Sequence, residues 1–215
     1  YDRLAQEQMQ RLKRKVYGQL HYLDIESEEG RRYLQDMSWC QEYALHNRRA
    51  MLEQLAEAVE RVTGYSADVK NAINVHHNYC TCEETTYFDP RTKRTESKRL
   101  WITRKGATSA KAGEYGIIPG SMGTGSYIVR GKGNQDSWAS CSHGAGRRMS
   151  RTRAKQVIDQ DRFESTLGAV VCDRDARLRD EAPDAYKDLS TVMANQSSLI
   201  EIEHRLLPLV NVKGM

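Results

Sequence analysis

A long helical repeat of apolar residues that stops at a glycine constrains the fold of this sequence more than any other feature. Between residues 30 and 62 apolar side chains recur at the spacing of an amphipathic helix, and Gly64 follows as a helix terminator. Residues 1–20 carry a shorter stripe of the same kind. The sequence therefore predicts a helical segment over residues 1–65.

The pattern changes from helical to extended after this segment. Residues 84–89 and 98–103 alternate polar with aromatic or β-branched residues on either side of Pro90, which predicts a hairpin. Further strands are predicted at 72–79, 127–130, 137–142 and 166–172, helices at 144–157 and 188–197, and an extended end at 199–212. The predicted fold is α+β, with N-terminal helices followed by a mixed β-sheet that carries glycine-rich loops.

Length and cysteine usage limit the class of protein. The chain has 215 residues and five cysteines without the spacing of a disulfide framework or a zinc knuckle, so we expect free thiols and a cytoplasmic location. No apolar run is long enough to span a membrane. Because the sequence opens without Met and within a helical pattern, we expect it to be part of a longer protein.

The net charge of +4 is small, but the basic residues are clustered. One cluster comprises Arg91, Lys93, Arg94, Lys98 and Arg99, and the other comprises Arg147, Arg148, Arg151, Arg153 and Lys155. Such clusters can hold phosphates, or they can be ordinary solvated faces.

A glycine- and serine-rich stretch, GSMGTGS, spans residues 120–126. Glycines let backbone N–H groups approach an anion closely, and the hydroxyls of Ser121 and Ser126 add donors. The stretch is not a Walker loop, because it lacks the lysine that follows the last glycine of that motif. It therefore indicates either an anion-binding loop or a plain turn.

The stretch CSHGAGRRMSR places His143 before a Gly-Ala-Gly step and a predicted helix. The N-terminus of that helix would favour phosphate, and Arg147 and Arg151 would share one of its faces at positions i and i+4. A neutral imidazole is a good nucleophile that can form a phosphoramidate. The alternative is a histidine on a surface loop.

Two further places carry residues that could take part in chemistry. His76 and His77 lie on a predicted strand, so only one of them can line a given site, as a metal ligand or as a hydrogen-bonded core histidine. Tyr186 lies in EAPDAYKD, and Lys213 lies near the end of the chain, where a lysine is usually solvated.

Taken together, these segments resemble the RtcB family of RNA-splicing ligases, and most closely its bacterial branch. The likeness runs through HHNY, TRKGA, AGEYGIIPGSMG, CSHGAGRRMSR, EAPDAYKD and the closing VKG, and CQEYALHNRRAM fits the family's helical segment. The resemblance implies one RtcB-like catalytic domain of which this chain is the C-terminal portion. Residues 66–215 would be its α+β guanylate-binding part, and the upstream half would be absent.

The resemblance also implies an activity. Family members use GTP and Mn²⁺, with two ions expected in the complete protein, to join RNA 3′-phosphate or 2′,3′-cyclic phosphate ends to 5′-hydroxyl ends in RNA repair or tRNA splicing. The implied partners are RNA, GTP and either the N-terminal half or an accessory protein, but no membrane. The alternatives are a non-catalytic RNA-binding module and a fragment that is inactive without its N-terminal half.

Roles carry over to matching positions of this sequence. By resemblance, His143 becomes guanylylated and His77 is a manganese ligand. The implied nucleotide-binding residues are Ser121, Met122, Gly123, Ser126, His143, Gly144, Ala145, Gly146, Tyr186 and Lys213, and the implied phosphate- or RNA-binding residues are Lys105, Arg147 and Arg151. The family's other metal-ligand motifs do not occur in this sequence, which leaves His77 alone of that set.

Overall fold

The structure is a computed structural model that describes residues 1–213. It divides into two compact units, Tyr1–Asn71 and Ala72–Met215. The described residues form five α-helices and nine strands, so the predicted α+β class is confirmed.

The first unit consists of two helices, α1 (Asp2–Arg11) and α2 (Glu28–Thr63). The prediction for α2 is confirmed, because Gly64 ends it in the left-handed conformation, where a side chain would be strained. The predicted helix over residues 1–20 is wrong beyond Arg11. The chain leaves the helix there, and Lys13 adopts a φ of 50° that no helix accommodates.

The second unit begins with a long antiparallel hairpin of β1 (Asn78–Asp89) and β2 (Arg94–Lys105). The predicted hairpin is confirmed, and it is longer at both ends than the sequence pattern suggested. The strand predicted over 72–79 is wrong before Asn78, because residues 72–77 have no strand partner and form an irregular segment.

The remaining strands form three further small sheets rather than the one mixed sheet that was predicted. They are an antiparallel pair of β3 (Ala107–Ser109) and β6 (Ser140–Ser142), an antiparallel sheet of β4 (Tyr115–Pro119), β5 (Ser126–Gly131) and β8 (Ile200–Leu206), and a parallel pair of β7 (Val171–Cys172) and β9 (Val210–Asn211). The strand predicted at 127–130 is confirmed, and that at 137–142 is confirmed only in its second half.

Three short helices complete the second unit: α3 (Arg151–Val157), α4 (Gln160–Leu167) and α5 (Leu189–Asn195). The helix predicted at 188–197 is confirmed. The strand predicted over 166–172 is wrong except for its last two residues, because α4 continues through Leu167.

The core of the second unit has two clusters of buried side chains. One packs the three-stranded sheet against α5, and includes Ile118, Val129 and Met193. The other packs α3 and α4 against the chain near residue 182, with Met122 and Phe163 at its centre. Tyr186 packs against both clusters, so the segment that carries it is fixed on two sides.

Candidate functional site

Three chain segments meet at His143. The backbone N–H of Gly106 donates to the carbonyl of His77 at 3.1 Å, and the N–H of His143 donates to the carbonyl of Gly106 at 3.4 Å. The imidazole rings of His77 and His143 are 5.1 Å apart between centroids, at an interplanar angle of 30°. Gly106 has a φ of +69°, and a Cβ there would lie 3.6 Å from the His143 ring, so a glycine suits this junction. Backbone pairing therefore brings together two histidines that are far apart in the sequence.

His76 and His77 have different surroundings, although not for the predicted reason. They precede β1, so strand alternation does not separate them. The His76 carbonyl accepts from the buried Thr108 hydroxyl at 2.9 Å, and its ring lies 5.4 Å from that of Tyr79. Only His77 is next to His143.

The Gly-Ala-Gly step after His143 is held by the end of β4, not by a helix. The Ala145 N–H donates to the Pro119 carbonyl at 3.1 Å, and a Cβ on Gly144 would lie 3.2 Å from the same oxygen. The predicted helix over 144–157 is wrong in its first half. Helix α3 begins at Arg151, where the Ser150 side chain caps it. The predicted anion site at a helix N-terminus beside His143 is therefore absent from this part of the chain.

The next residues run alongside the segment that contains Tyr186. The N–H of Lys187 donates to the Gly146 carbonyl at 2.9 Å, and that of Arg148 donates to the Ala185 carbonyl at 3.0 Å. Between them Arg147 and Tyr186 form an isolated antiparallel bridge. This pairing could not be predicted from the sequence, because neither segment has a strand pattern.

Arg147 is anchored by several groups of the site. Its guanidinium lies 4.8 Å from the centre of the Tyr186 ring and donates to the Tyr186 hydroxyl at 2.9 Å. It also donates to the carbonyls of Asp180 and Met149. These contacts use only part of its five N–H donors, so the group keeps the capacity to bind an anion.

Glu181 is the centre of the charge network, and sequence reasoning missed it. It is 8% exposed and accepts from the Tyr186 hydroxyl at 2.7 Å, from Lys213 Nζ at 3.3 Å and from Arg151. The Arg147 guanidinium lies 3.6 Å away. One feature of the sequence could have indicated its role: Glu181 is the first residue of EAPDAYKD, and several arginines precede it closely. Arg147 and Arg151 therefore do converge, but on Glu181 and not on one helix face.

The network shifts the pKa values of its members in opposite directions. Burial alone would raise the pKa of Glu181, but the Tyr186 hydroxyl, Lys213 and Arg151 outweigh burial and hold this pKa below its ordinary value. Burial, followed by the hydrogen bond to Glu181, raises the pKa of Tyr186 to about 12. At neutral pH Glu181 is thus ionised, and the Tyr186 hydroxyl is protonated and donates to it.

A polar cavity of about 430 Å³ opens beside this network. It is lined by Arg151, Lys155, Arg177, Leu178, Asp180, Glu181 and Lys213. Burial would raise the pKa of Asp180, but Arg151 and Lys155 lower it below its ordinary value. The cavity is within the size range of small-molecule sites, and its lining combines cationic and anionic groups.

The glycine- and serine-rich stretch is the turn that joins β4 to β5. Thr124 Oγ1 accepts from the Ser121 N–H at 2.6 Å and lies 3.0 Å from its hydroxyl. The Met122 side chain is 1% exposed and packs in the core, so only its backbone could contact a ligand. Ser126 opens β5, opposite Pro119. A Cβ on Gly123 would lie 3.0 Å from Pro183, which places the turn against the Tyr186 segment.

Lys105 is exposed at the end of β2, directly before Gly106. Its neighbour Arg104 is instead 1% exposed, forms a bidentate pair with Glu83 and donates to Ser140 Oγ at 2.9 Å. The buried arginine fixes β2 against β6, and this places Lys105 next to the histidine junction.

His77 is the one residue of this chain that the resemblance predicts as a manganese ligand. Among the 213 described residues, no group of three or more histidine, cysteine, aspartate or glutamate side chains could hold a metal ion. His77 supplies one imidazole next to His143, and a metal site needs further donors. The residues described here therefore do not form a manganese site by themselves.

The predicted site residues fall into two adjoining groups. One group lies at the ends of β2 and β4 and comprises His77, Lys105, His143, Gly144 and Ala145. The other lies around Glu181 and comprises Arg147, Arg151, Tyr186 and Lys213, and the Gly146 carbonyl accepts from the neighbouring Lys187 N–H. Residues 143–146 (HGAG) connect the two groups along the chain. The turn at residues 120–126 packs beside the group around Glu181. Lys213, for which solvation is the usual expectation, instead contacts Glu181.

Comparison with known proteins gives one consistent result. A family model described as tRNA-splicing ligase RtcB matches residues 1–214. The RNA-splicing ligase RtcB of Escherichia coli K12 is 45% identical over 188 residues, covering 85% of this chain and 43% of that protein. The tRNA-splicing ligase RtcB of Archaeoglobus fulgidus is 32% identical over 222 residues, covering 91% and 44%. The chain thus spans less than half the length of these curated relatives. No helix within residues 1–213 is long and apolar enough to cross a membrane.

Proposed function

The chain belongs to the RtcB family of RNA-splicing ligases, and from this premise we propose that it carries the guanylylation centre of an RNA ligase. The proposed reaction uses GTP and Mn²⁺ to join RNA 3′-phosphate or 2′,3′-cyclic phosphate ends to 5′-hydroxyl ends, in RNA repair or tRNA splicing. All five cysteines are free, which agrees with the proposed cytoplasmic location.

His143 is the proposed nucleophile, and the observation that carries this is its place at the junction with His77 and Gly106. The neutral imidazole would attack the α-phosphorus of GTP, forming a P–N bond as the P–O bond to pyrophosphate breaks. The guanylate would then pass to the RNA 3′-phosphate, and the 5′-hydroxyl would displace it. The attack leaves the ring positively charged, and the other ring nitrogen then releases its proton to solvent, which gives the neutral phosphoramidate.

The groups around Glu181 are the proposed nucleotide-holding side of the site. Tyr186 and Lys213 are held by Glu181 at 2.7 and 3.3 Å and would enclose the guanine. Arg147 keeps N–H donors for phosphate oxygens, on which negative charge grows during transfer. Backbone N–H groups of residues 122, 123, 144 and 146 would add donors to the same anion. Those of Ser121 and Ala145 already donate to Thr124 Oγ1 and to the Pro119 carbonyl.

Manganese enters this proposal only as a requirement of the reaction. When bound, such an ion acts as a Lewis acid on phosphate oxygens. His77 would be one of its ligands, and the other ligands must come from outside the described residues, which lack a metal-holding cluster.

An intact-mass measurement tests the proposal. The full-length protein that contains this chain is incubated with GTP and Mn²⁺, and we expect a gain of one GMP for the wild type and none for His143→Ala. A Lys98→Gln variant, whose side chain lies on the β1–β2 hairpin, is the matched control and should gain GMP like the wild type. A wild type that stays unmodified, or an adduct that persists in His143→Ala, would overturn the proposal.

A non-catalytic RNA-binding module is the second candidate, and the exposed basic residues at the tip of the hairpin favour it. It predicts salt-sensitive RNA binding, with a log–log slope of roughly −0.7 per phosphate contact on single strands, in the absence of any GMP adduct. The mass measurement therefore separates the two candidates.

A further inference from the structure

The two faces of the β1–β2 hairpin differ in what they contact. Strand alternation places Tyr79, Glu83 and Tyr87 of β1 on one face, which we call the inner face. Tyr87 lies 5.9 Å from the Trp138 ring, and the buried Arg104 of this face donates to the Trp138 carbonyl at 3.0 Å. The inner face thus packs on the body of the second unit.

The outer face presents aromatic and basic side chains to solvent. Along β2 this face presents Lys105, Thr103, Trp101 and Arg99 in turn. On β1, Phe88 extends it towards the turn. Trp101 is 41% exposed and Phe88 is 59% exposed, so both rings are accessible on this face. Glu84, opposite Arg99, is the acidic residue of this face.

The basic cluster at residues 91–99 is divided between the faces. Lys98 belongs to the inner face, where it pairs with Glu96 at 2.6 Å and lies over the Tyr87 ring. Arg99 belongs to the outer face, and Arg91 and Lys93 are exposed at the turn. Cationic groups therefore occur at both ends of the outer face, with Trp101 between them.

We propose that the outer face of the β1–β2 hairpin is a track for single-stranded RNA, on which Trp101 stacks a base while Lys105 and Arg99 hold phosphates. This inference rests on the proposed function, because it names where the RNA strand lies that reaches His143. Lys105 is separated from the His143 junction only by Gly106. From Lys105 to Arg99 the strand spans about 20 Å, enough for several nucleotides.

The chemistry of the face favours a single strand over other occupants. An aromatic side chain stacks most readily on a base whose face is exposed, as in a single strand, and aromatic groups beside cationic groups are the usual composition of single-strand sites. A second protein surface would cover Trp101 and Phe88 equally well, but it would not need lysine and arginine at both ends of the apolar residues. Charge complementarity thus points to a phosphate backbone.

The experiment measures RNA affinity in the full-length protein without GTP, by fluorescence anisotropy with a labelled single-stranded RNA that ends in a 3′-phosphate. Trp101→Ala should weaken binding about tenfold, whereas Trp101→Phe should keep most of the affinity. Lys105→Gln combined with Arg99→Gln should reduce the slope of log affinity against log salt by roughly 1.4, about 0.7 for each lost phosphate contact. Lys98→Gln, on the inner face, is the matched control and should leave the slope unchanged.

Photo-crosslinking of a thiouridine-containing RNA to the wild type gives a readout that does not depend on variants folding. We expect the adduct on the peptide that carries Trp101. Four results would overturn the proposed track. Two concern affinity: no RNA binding by the wild type, or Trp101→Ala binding RNA as tightly as the wild type. The other two are equal effects of the inner-face and outer-face variants on the slope, and a crosslink on a different peptide. Because these measurements omit GTP, failure of the track is distinguished from failure of His143 to accept guanylate.

Discussion

At the scale of single residues, Glu181 determines the geometry of the candidate site. One carboxylate orients the Tyr186 hydroxyl, Lys213 and Arg151, and it lies close to Arg147. The sequence predicted the positions of the cationic and aromatic residues but not the acid that holds them. Periodicity and motif spacing do not report a contact between residues that are about thirty positions apart, and a glutamate looks the same whether it is solvated or buried.

Replacing Glu181 with glutamine should lower the free energy of unfolding by about 2 kcal/mol, because it removes a buried charge that three donors share. The exposure of Arg151 keeps the loss below that of a fully buried pair. Denaturant unfolding measures the difference. Glu201→Gln, which removes an exposed partner of Arg130, is the matched control and should change stability by no more than about 0.5 kcal/mol.

The stability difference between wild type and Glu181→Gln should also depend on pH. The folded protein holds the pKa of Glu181 below its unfolded value, so the stabilisation is present above the unfolded pKa and is lost as the pH falls through the folded pKa. We therefore expect the two proteins to differ most near neutral pH and to converge in acid. A difference that grows as the pH falls would contradict the assignment of an ionised Glu181.

At the scale of elements, the helices and strands predicted from the sequence differ from those of the structure where tertiary contacts override the local pattern. Helix α2 and the β1–β2 hairpin were predictable because their periodicities are long and their ends carry turn residues. The segment 144–150 was not, since its arginines and Met149 are good helix formers, although Gly144 and Gly146 are not. In the fold, its backbone bonds to Pro119 and to residues 185–187 instead.

Ser150→Ala tests the start of helix α3. The Ser150 hydroxyl accepts from the Arg153 N–H at 3.2 Å as an N-cap, so its loss should cost about 1 kcal/mol in denaturant unfolding. If the helix began near Gly144, as the sequence pattern suggests, residue 150 would be internal. Alanine would then be neutral or stabilising, and that result would contradict the observed boundary.

Gly125→Ala tests the close packing of the β4–β5 turn. A Cβ at Gly125 would lie 2.2 Å from the Leu206 carbonyl oxygen, so the backbone of β5 or β8 must shift, at a cost of about 2 kcal/mol or more. Gly116→Ala, in β4, is the control. Its Cβ would meet only Val129 Cγ2 at 3.4 Å, so we expect a change within about 1 kcal/mol by the same unfolding measurement. Equal effects of the two variants would contradict the described turn.

At the scale of the whole molecule, motifs that are dispersed between residues 76 and 213 form two adjoining groups in the second unit. The sequence predicted which residues belong together through their resemblance to one family, and the family itself is confirmed by the comparisons. It could not predict how they meet, because the histidine junction and the Glu181 network depend on backbone pairing between segments without strand pattern. Both groups consist of residues of the second unit.

Guanylylation of His143 is tested most directly by locating the guanylate through peptide mass mapping, after incubation of the full-length protein with GTP and Mn²⁺. We expect one GMP, on the peptide that contains His143 and on that imidazole. A GMP bound to Lys105, Lys213 or any other residue would show that His143 is not the nucleophile, and so would an unmodified His143 in a protein that still joins RNA ends.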